Sequence, residues 1–260
     1  MQTPLTILKI GGNVVNDTAL CDNVLEDFAR LKGPKILVHG GGKRASSLMR
    51  QMGLTPRMVE GRRITDAATL EIVTMVYGGL INKNLVARLQ SLDCNALGLS
   101  GADANTVSAE KRPVGTINYG FVGDIKGVAD VTLATLLSVG LVPVFCALTH
   151  DGQGQLLNTN ADSLAGALGE GLSRQFAVRL VFCFEKPGVL LDATDDRSVV
   201  AQLDHATFID FKKRGIIFEG MIPKMEGAFR AARGGVQEVI IAGPTFLSDP
   251  TGLGTRLLVD

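Results

Sequence analysis

Two glycine clusters follow apolar runs near the start of the sequence and have the composition of anion-binding turns. Gly11 and Gly12 stand in LKIGGN, and Gly41 and Gly42 stand in VHGGGK. Such turns let bare backbone N–H groups approach an anion, and the N-terminus of a following helix favours negative charge there. One cluster alone is common scaffolding, but two in one half of the chain favour a phosphate site. Neither cluster matches the P-loop pattern, which requires a hydroxyl where Arg44 stands, or the dinucleotide pattern GxGxxG.

Two lysines could supply the positive charge of such a site. Lys9 lies between Leu8 and Ile10 in the first apolar run, where a lysine is rare unless it has an anionic partner. Lys224, in GMIPKM, follows Pro223 at the start of a predicted helix and could point at the same anion. In isolation, an ordinary surface lysine is the more common explanation of Lys224.

A polar segment, NTNADSLAGAL, places Asn158, Asn160 and Asp162 just before an alanine-rich apolar stretch. Asn and Asp are frequent N-caps, so the start of a buried helix explains the segment when it is taken alone. That explanation does not account for the buried lysine at position 9, which needs a negative partner. The segment is therefore a further candidate for the charged part of a site.

Short apolar runs alternate with helix-length segments along the chain, and this alternation predicts a parallel sheet covered by helices. The stretches 18–33 and 66–92 carry apolar residues at the three-to-four spacing of amphipathic helices. Residues 101–127 are punctuated by Gly, Asn and Thr, as hairpins are. Six runs are the predicted strands: LTILKI, KILVHG, CNALGLS, LVPVFCAL, FAVRLVFCF and EVIIAG.

Composition limits the class of protein. The 260 residues suffice for one large α/β domain or two lobes sharing a sheet. The 26 basic and 26 acidic residues balance, so neither nucleic acid nor an anionic membrane is expected as the main partner. Four scattered cysteines without CxxC spacing indicate reduced thiols and a cytoplasmic protein. The best apolar run, 136–148, is broken by Gly140 and Pro143 and is too short to span a bilayer.

Seven motifs together resemble the amino acid kinase family, and within it the acetylglutamate kinase branch. They occur in the family's order and spacing over nearly the whole chain: LKIGGN, LVHGGGK, GRRIT, LSGADAN, GFVGDIKGV, LNTNADSLAGAL and GMIPKM. The resemblance implies an open αβα sandwich around a mostly parallel sheet. It also implies an N-terminal lobe (1–174) for acylglutamate binding and dimerisation, and a C-terminal lobe (175–260) for ATP.

The implied reaction is the second step of arginine biosynthesis, in which MgATP phosphorylates the γ-carboxylate of an N-acyl-L-glutamate. A carboxylate with a pKa of about 4.3 is already ionised at neutral pH, so no general base is needed. Only four residues precede LTILKI. In the family, arginine-inhibited members carry an extra helix there, so the resemblance predicts a homodimer without arginine feedback.

The resemblance also assigns roles to individual residues. Lys9 and Lys224 would bind the phosphates, Asp162 would hold both lysines in place, and no residue is predicted to ligate a metal. The other implied roles are backbone donation to phosphate by Gly11 and Gly12, backbone donation to substrate by Gly41 and Gly42, and binding of the substrate α-carboxylate by Arg63 and Asn158.

The nucleotide side of the chain departs from the family pattern. Where the family usually has Ser or Thr, then Asp, then Val before Gly-Val, this chain reads Phe184-Glu185-Lys186-Pro187 before Gly188. Glu185 could replace the aspartate at longer reach, and Gly188 is a further candidate for a nucleotide contact. The departure also leaves open a catalytically silent protein that binds or senses an acyl-amino acid. Within the family, another activity such as that of glutamate 5-kinase is the alternative.

The acyl side is more basic than the family pattern. Arg62, Lys43 and Arg44 stand where members commonly have apolar or small residues. An acetyl methyl group needs apolar walls, whereas cations suit an acyl chain that ends in its own carboxylate. The natural substrate could therefore be N-succinyl-L-glutamate rather than N-acetyl-L-glutamate. The alternative is that these side chains project into solvent.

Overall fold

The computed structural model describes residues 2–59, 61–218, 220–249 and 252–259. Its strands are β1 (Thr3–Ile10), β2 (Lys35–His39), β3 (Met58–Val59), β4 (Arg62–Arg63), β5 (Ala96–Leu99), β6 (Val107–Lys111), β7 (Gly123–Val128), β8 (Val142–Cys146), β9 (Leu148–His150), β10 (Leu156–Asn158), β11 (Phe176–Cys183), β12 (Gln202–Leu203), β13 (Glu238–Ala242) and β14 (Gly254–Leu257).

The helices follow the strands in alternation. They are α1 (Gly12–Asn16), α2 (Thr18–Arg30), α3 (Gly42–Gln51), α4 (Ala67–Thr74), a π segment (Met75–Ile81), α5 (Asn82–Gln90), α6 (Asp130–Ser138), α7 (Ala161–Leu172), α8 (His205–Lys213) and α9 (Met221–Arg233). Short 3-10 turns cover Asp103–Asn105 and Pro244–Leu247.

A central sheet of eight strands has the order β12-β14-β13-β11-β1-β2-β8-β5. Its neighbours pair in parallel, except that β13 and β14 are antiparallel. All six strands predicted from the sequence lie in this sheet, which confirms the α/β fold with a mostly parallel sheet. The edge strand β12 and its neighbour β14 were not anticipated.

Helices cover both faces of the central sheet, because successive side chains of a strand point to opposite faces. Leu5 and Ile7 of β1 pack with α6, α7, α8 and α9 on one face. Leu8 and Ile10 pack with α2, α3 and the α4–α5 region on the other. The resulting three layers are those of an αβα sandwich. The proposed lobe boundary after residue 174 falls between α7 and β11 and stays a prediction.

Two smaller sheets flank the central one. The expected hairpin region contains β6 and β7, which pair antiparallel with an irregularity between Ser108 and Ala109, and β9 and β10 extend this sheet. β3 and β4 form a separate two-stranded ribbon. An isolated parallel bridge joins Val122, just before β7, to Asn158 at the end of β10.

The helix predicted over 66–92 is present, but its middle is a π segment rather than a regular α-helix. The N–H of Asn82 donates to the carbonyl of Tyr77, five residues earlier. Asp66 caps the start of α4 by accepting a hydrogen bond of 2.8 Å from the N–H of Thr69. Over the residues that the structure describes, no helix is both long and apolar enough to cross a membrane.

Candidate active site

A cavity of about 660 Å³ opens at the carboxyl ends of β1 and β2. Ligands of open α/β sheets bind at this edge, because the loops and helix N-termini that follow parallel strands meet there. The cavity brings together most of the residues that the sequence singled out: Lys9, Gly11, Gly12, Gly41, Gly42, Lys43, Arg62, Arg63, Asn158, Asp162, Glu185 and Lys224. Arg44 and Gly188 are not among its lining residues.

The two glycine turns reach the cavity for different reasons. α1 begins at Gly12, and a Cβ added there would meet nothing within 4 Å, so this turn is open. α3 begins at Gly42, and a Cβ on the preceding Gly41 would lie 2.6 Å from side-chain carbons of Ile81 and Tyr77. Glycine at position 41 therefore allows the π segment to approach the turn. Both turns present helix N-termini to the cavity.

Lys9 has the anionic partner that its buried position requires. Its Nζ lies 2.6 Å from Oδ1 of Asp162, and the side chains are only 7% and 13% exposed. Asp162 occupies the first turn of α7, where a carboxylate is favoured by the helix dipole. Asn160 caps the same helix by accepting a hydrogen bond of 2.9 Å from the N–H of Ser163. The NTNAD segment is thus both a helix start and the source of a buried ion pair.

Lys224 enters the cavity from the first turns of α9. Its Nζ lies 4.1 Å from the centroid of the Phe184 ring, and Lys9 Nζ lies 4.8 Å from the same centroid. Burial lowers the pKa of Lys224, and the nearby Asp162 carboxylate opposes that change. The two ammonium groups therefore share one aromatic ring and one carboxylate.

Arg63 is buried in the wall beside the second glycine turn. Its Nη2 donates to the carbonyl of Gly42 (2.8 Å) and to Oγ of Ser46 (2.7 Å). Its buried Nε has no hydrogen-bond partner among the described residues. Asn158 Nδ2 donates to Oγ1 of Thr65 at 2.9 Å, which fixes the amide. A guanidinium with a free donor beside a fixed amide suits a carboxylate ligand.

Tyr77 lines the cavity but was not singled out from the sequence. It lies in the π segment and is 5% exposed. Burial raises the pKa of Tyr77, and the neighbouring Arg63 guanidinium opposes the rise. The one sequence signal was the Gly78–Gly79 pair, since glycines inside a helix are unfavourable without a packing or functional reason.

Of the three candidates for acyl specificity, Arg62 has the most enclosed position. It is half-buried and lines both the main cavity and an adjoining cavity of about 890 Å³. Burial lowers the pKa of Arg62, and Arg112 and Arg230 lower it further, whereas Asp124 opposes them. Arg112 is itself paired with Asp124, with 3.0 Å between Nε and Oδ2.

The other two candidates differ from Arg62. Lys43 is exposed, and its Nζ donates to Oδ1 of Asn13 at the rim of the cavity. Arg44 is exposed on α3 outside the cavity. Successive residues of an α-helix point about 100° apart, so these neighbours cannot share one direction. The structure brings Lys43, but not Arg44, to the site.

The residues that follow β11 also differ in whether they reach the cavity. Glu185 is exposed and lines the cavity. Lys186 pairs with Asp196 at 2.8 Å on the surface. Gly188 is buried, and a Cβ there would lie 2.8 Å from Oγ1 of Thr255 in β14. The packing of β14 is thus a sufficient reason for glycine at position 188.

The remaining candidate groups are structural. His39 is fully buried, with Nδ1 2.8 Å from the Gly40 carbonyl and Nε2 3.1 Å from the Asn82 amide. Burial lowers the pKa of His39 to about 4, so it is neutral at pH 7. The part of the chain that the structure describes holds no group of three or more His, Cys, Asp or Glu side chains suited to a metal ion.

Comparison with known proteins places these features in a family context. A sequence profile of the amino acid kinase family matches residues 4–243. The acetylglutamate kinase of Bacteroides fragilis is 53% identical over 257 residues, covering 99% of this chain and 98% of that protein. The acetylglutamate kinase of Methanopyrus kandleri is 40% identical over 256 residues, covering 97% and 100%.

Solved structures agree on the fold. The crystal structure of smu.665 from Streptococcus mutans has a TM-score of 0.79 at 24% identity and covers 98% of this chain and 99% of that chain. N-acetylglutamate synthase from Neisseria gonorrhoeae, complexed with coenzyme A and N-acetyl-glutamate, has a TM-score of 0.82 at 18% identity. That match covers 98% of this chain and 59% of the synthase chain.

Proposed function

Because the chain belongs to the amino acid kinase family, we propose that it transfers a phosphoryl group from MgATP to the γ-carboxylate of an N-acyl-L-glutamate, the second step of arginine biosynthesis. The observation that carries the proposal is the buried Lys9–Asp162 ion pair beside Lys224 and two helix N-termini. Relatives of 40–53% identity that are named acetylglutamate kinase support it.

The residues present fit the phosphates of ATP. Lys9 and Lys224 supply two positive charges, and the open turn at Gly12 supplies a backbone donor at a helix N-terminus. The predicted donation by Gly11 is corrected, because its N–H already donates to the carbonyl of Cys183 at 3.0 Å. ATP would enter on the side of residues 175–260, where Glu185 borders the cavity. Mg²⁺ is usually held by substrate phosphates and a few carboxylates, and it neutralises charge on the phosphates.

The proposed mechanism is alignment together with charge neutralisation. Arg63 and Asn158 would hold the α-carboxylate, which points the γ-carboxylate toward the two lysines. An oxygen of the γ-carboxylate forms the new bond to phosphorus while the bond to the ADP oxygen breaks, so an acyl phosphate and ADP result. Lys9 and Lys224 stabilise the charge on the transferring group. Asp162 keeps Lys9 oriented, and no proton has to move.

We further propose that the acyl group is succinyl. Its terminal carboxylate, carried on the α-nitrogen of the glutamate, would bind Arg62, which lines both cavities. Arg112 is paired with Asp124, so the positive charge that favours an anion there comes from Arg62 and Arg230. Lys43 is already bonded to Asn13, so the specificity would depend on Arg62.

The decisive experiment traps the acyl phosphate with hydroxylamine after incubation with MgATP and either N-acetyl- or N-succinyl-L-glutamate. We expect a higher kcat/KM for the succinyl compound, and Arg62→Leu should lower that value about tenfold or more. Arg44→Leu is the matched control and should leave it unchanged. Preference for the acetyl compound would remove the succinyl proposal but not the kinase. If neither compound reacts, the protein is a silent acyl-amino acid binder instead.

We propose that the protein works as a homodimer in the cytoplasm. Met75 and Leu80 expose 53% and 44% of their surface on the 66–92 helix, as an apolar interface would in a separated protomer. The four free, buried cysteines are typical of a reducing compartment. Light scattering should give a dimer mass for the wild type and a monomer mass for Met75→Glu combined with Leu80→Glu. A wild-type monomer would refute the dimer.

A further inference from the structure

Phe184 contacts both lysines of the site, although the family resemblance predicts Ser or Thr at this position. The ring centroid lies 4.1 Å from Nζ of Lys224 and 4.8 Å from Nζ of Lys9. Both distances are within the range of a cation–π interaction. A small hydroxyl residue could not make either contact. Phe184 therefore contacts the charged groups in a way that the residue usual in the family would not.

The ring is fixed by the strand that precedes it. Phe184 stacks on the buried Phe182 of β11, with ring centroids 6.4 Å apart and an interplanar angle of 5°. Its backbone N–H donates to the carbonyl of Ala242 at 2.9 Å. A Cβ on Gly11 would lie 3.4 Å from the ring, so the first glycine turn packs against it. These contacts limit the ring to one position beside the lysines.

Two ammonium groups that converge on one cavity repel each other and need a stabilising group. Asp162 pairs with Lys9, whereas Lys224 forms no ion pair among the described residues. The Asp162 and Glu185 carboxylates raise the pKa of Lys224, and the Lys9 and Lys43 ammonium groups lower it. A carboxylate paired directly with Lys224 would stabilise it further but would also repel a phosphate. The face of an aromatic ring attracts cations through its quadrupole and carries no net charge. It can therefore stabilise both lysines while leaving their positive charge available to an anion.

We propose that Phe184 is a positioning residue whose ring holds the ammonium groups of Lys9 and Lys224 together at the cavity. Its effect on turnover rests on the proposed kinase function. The contact between ring and lysines does not, so it has a test that requires no catalysis.

The first test measures the pH dependence of Lys224 acetylation by acetic anhydride, read by mass spectrometry on the free protein. Pentafluorophenylalanine at position 184 keeps the shape of the ring but removes the negative potential of its face. We expect the labelling midpoint of Lys224 to move to lower pH in this variant and in Phe184→Leu, because the ammonium form loses a stabilising contact. Phe184→Tyr should retain the wild-type midpoint. Exposed Lys213 is the internal control and should not change.

The second test measures turnover with MgATP and the preferred acylglutamate. Phe184→Leu and the pentafluoro variant should lower kcat by about tenfold, and the alkaline limb of the pH profile should move to lower pH. Phe184→Tyr should be close to wild type. If Phe184→Leu does not fold, the pentafluoro variant decides.

A wild-type labelling midpoint in the pentafluoro variant would overturn the proposal. Absence of turnover in the wild-type protein would instead count against the kinase function, and the labelling experiment would still decide whether the ring positions the lysines.

Discussion

The cavity has two walls that hold their positive charge in different ways. The central wall, formed by Lys9, Asp162 and Arg63, belongs to the middle strands and the helices beside them, and its charges contact carboxylate, carbonyl or hydroxyl oxygens. The outer wall, formed by Lys224 and Phe184, comes from α9 and the end of β11, and its charge contacts a ring. Lys9 has the ring as a second contact beside its carboxylate, whereas Lys224 has the ring without an ion pair among the described residues, and burial lowers its pKa.

Lys9→Met should have the largest effect and would show how far the central wall governs catalysis. We expect kcat to fall by about 1,000-fold, since the variant removes a charge at the transferring group. Thermal stability should also fall, because Asp162 would stay buried without its partner. Lys186→Met is the control, since Lys186 pairs with Asp196 on the surface. A Lys9→Met enzyme with near-normal kcat would contradict the assignment of this wall.

Lys224→Met should cost about 100-fold in kcat with little loss of stability, because no buried carboxylate depends on Lys224 alone. The pH dependence of kcat in the wild-type protein tests the role of Lys224 in a second way. The pKa of Lys224 is lowered by burial, so the active ammonium form is present below that pKa and is lost as pH rises through it. An alkaline limb should therefore lie below the range of an ordinary lysine and vanish in Lys224→Met. Its persistence would assign the limb to another group.

Arg63→Lys tests whether the central wall binds substrate through geometry rather than charge alone. A lysine keeps the charge but loses the planar fork, so we expect KM for the acylglutamate to rise about tenfold or more with a smaller change in kcat. KM for MgATP should stay the same. Arg44→Lys, at an exposed position on α3, is the matched control. Equal increases in both KM values would indicate a general disturbance of the cavity.

The smallest effects should separate the two glycine turns. Gly41→Ala should lower the melting temperature by several degrees, because the new Cβ would clash with Ile81 and Tyr77. Gly12→Ala should leave the melting temperature nearly unchanged but raise KM for MgATP, because its Cβ would occupy open space at the cavity. Thermal denaturation and steady-state kinetics measure both. The reverse pattern would show that the turns have been assigned the wrong roles.

The central part of the fold could be predicted from the sequence because it consists of continuous apolar runs. All six predicted strands are in the central sheet, and the hairpin region lies where Gly, Asn and Thr indicated it. The edge strand β12 and its neighbour β14 could not be predicted in the same way, since they are short and their pairing is set by distant contacts.

The site residues, too, could be predicted only where the sequence has a local signal. Lys9 stood out because it interrupts an apolar strand, and the structure supplies the carboxylate that such a lysine needs. Tyr77 did not stand out, since an aromatic residue in an apolar helix is most often part of the core. The direction of Arg44 depends on where α3 begins, and the packing of Gly188 depends on β14. Neither contact has a local signature in the sequence.

The π segment between α4 and α5 couples the length of a helix to the shape of the site. Its hydrogen bonds run from residue i to residue i+5, so its seven residues sweep a smaller angle than the same seven residues would in an α-helix. This angle sets the rotation at which α5 begins. Asn82, the first residue of α5, thereby meets His39 and the Val144 carbonyl, to which its amide donates at 2.8 Å. A regular α-helix over the same seven residues would rotate α5 by about 100° and turn this amide away from both partners.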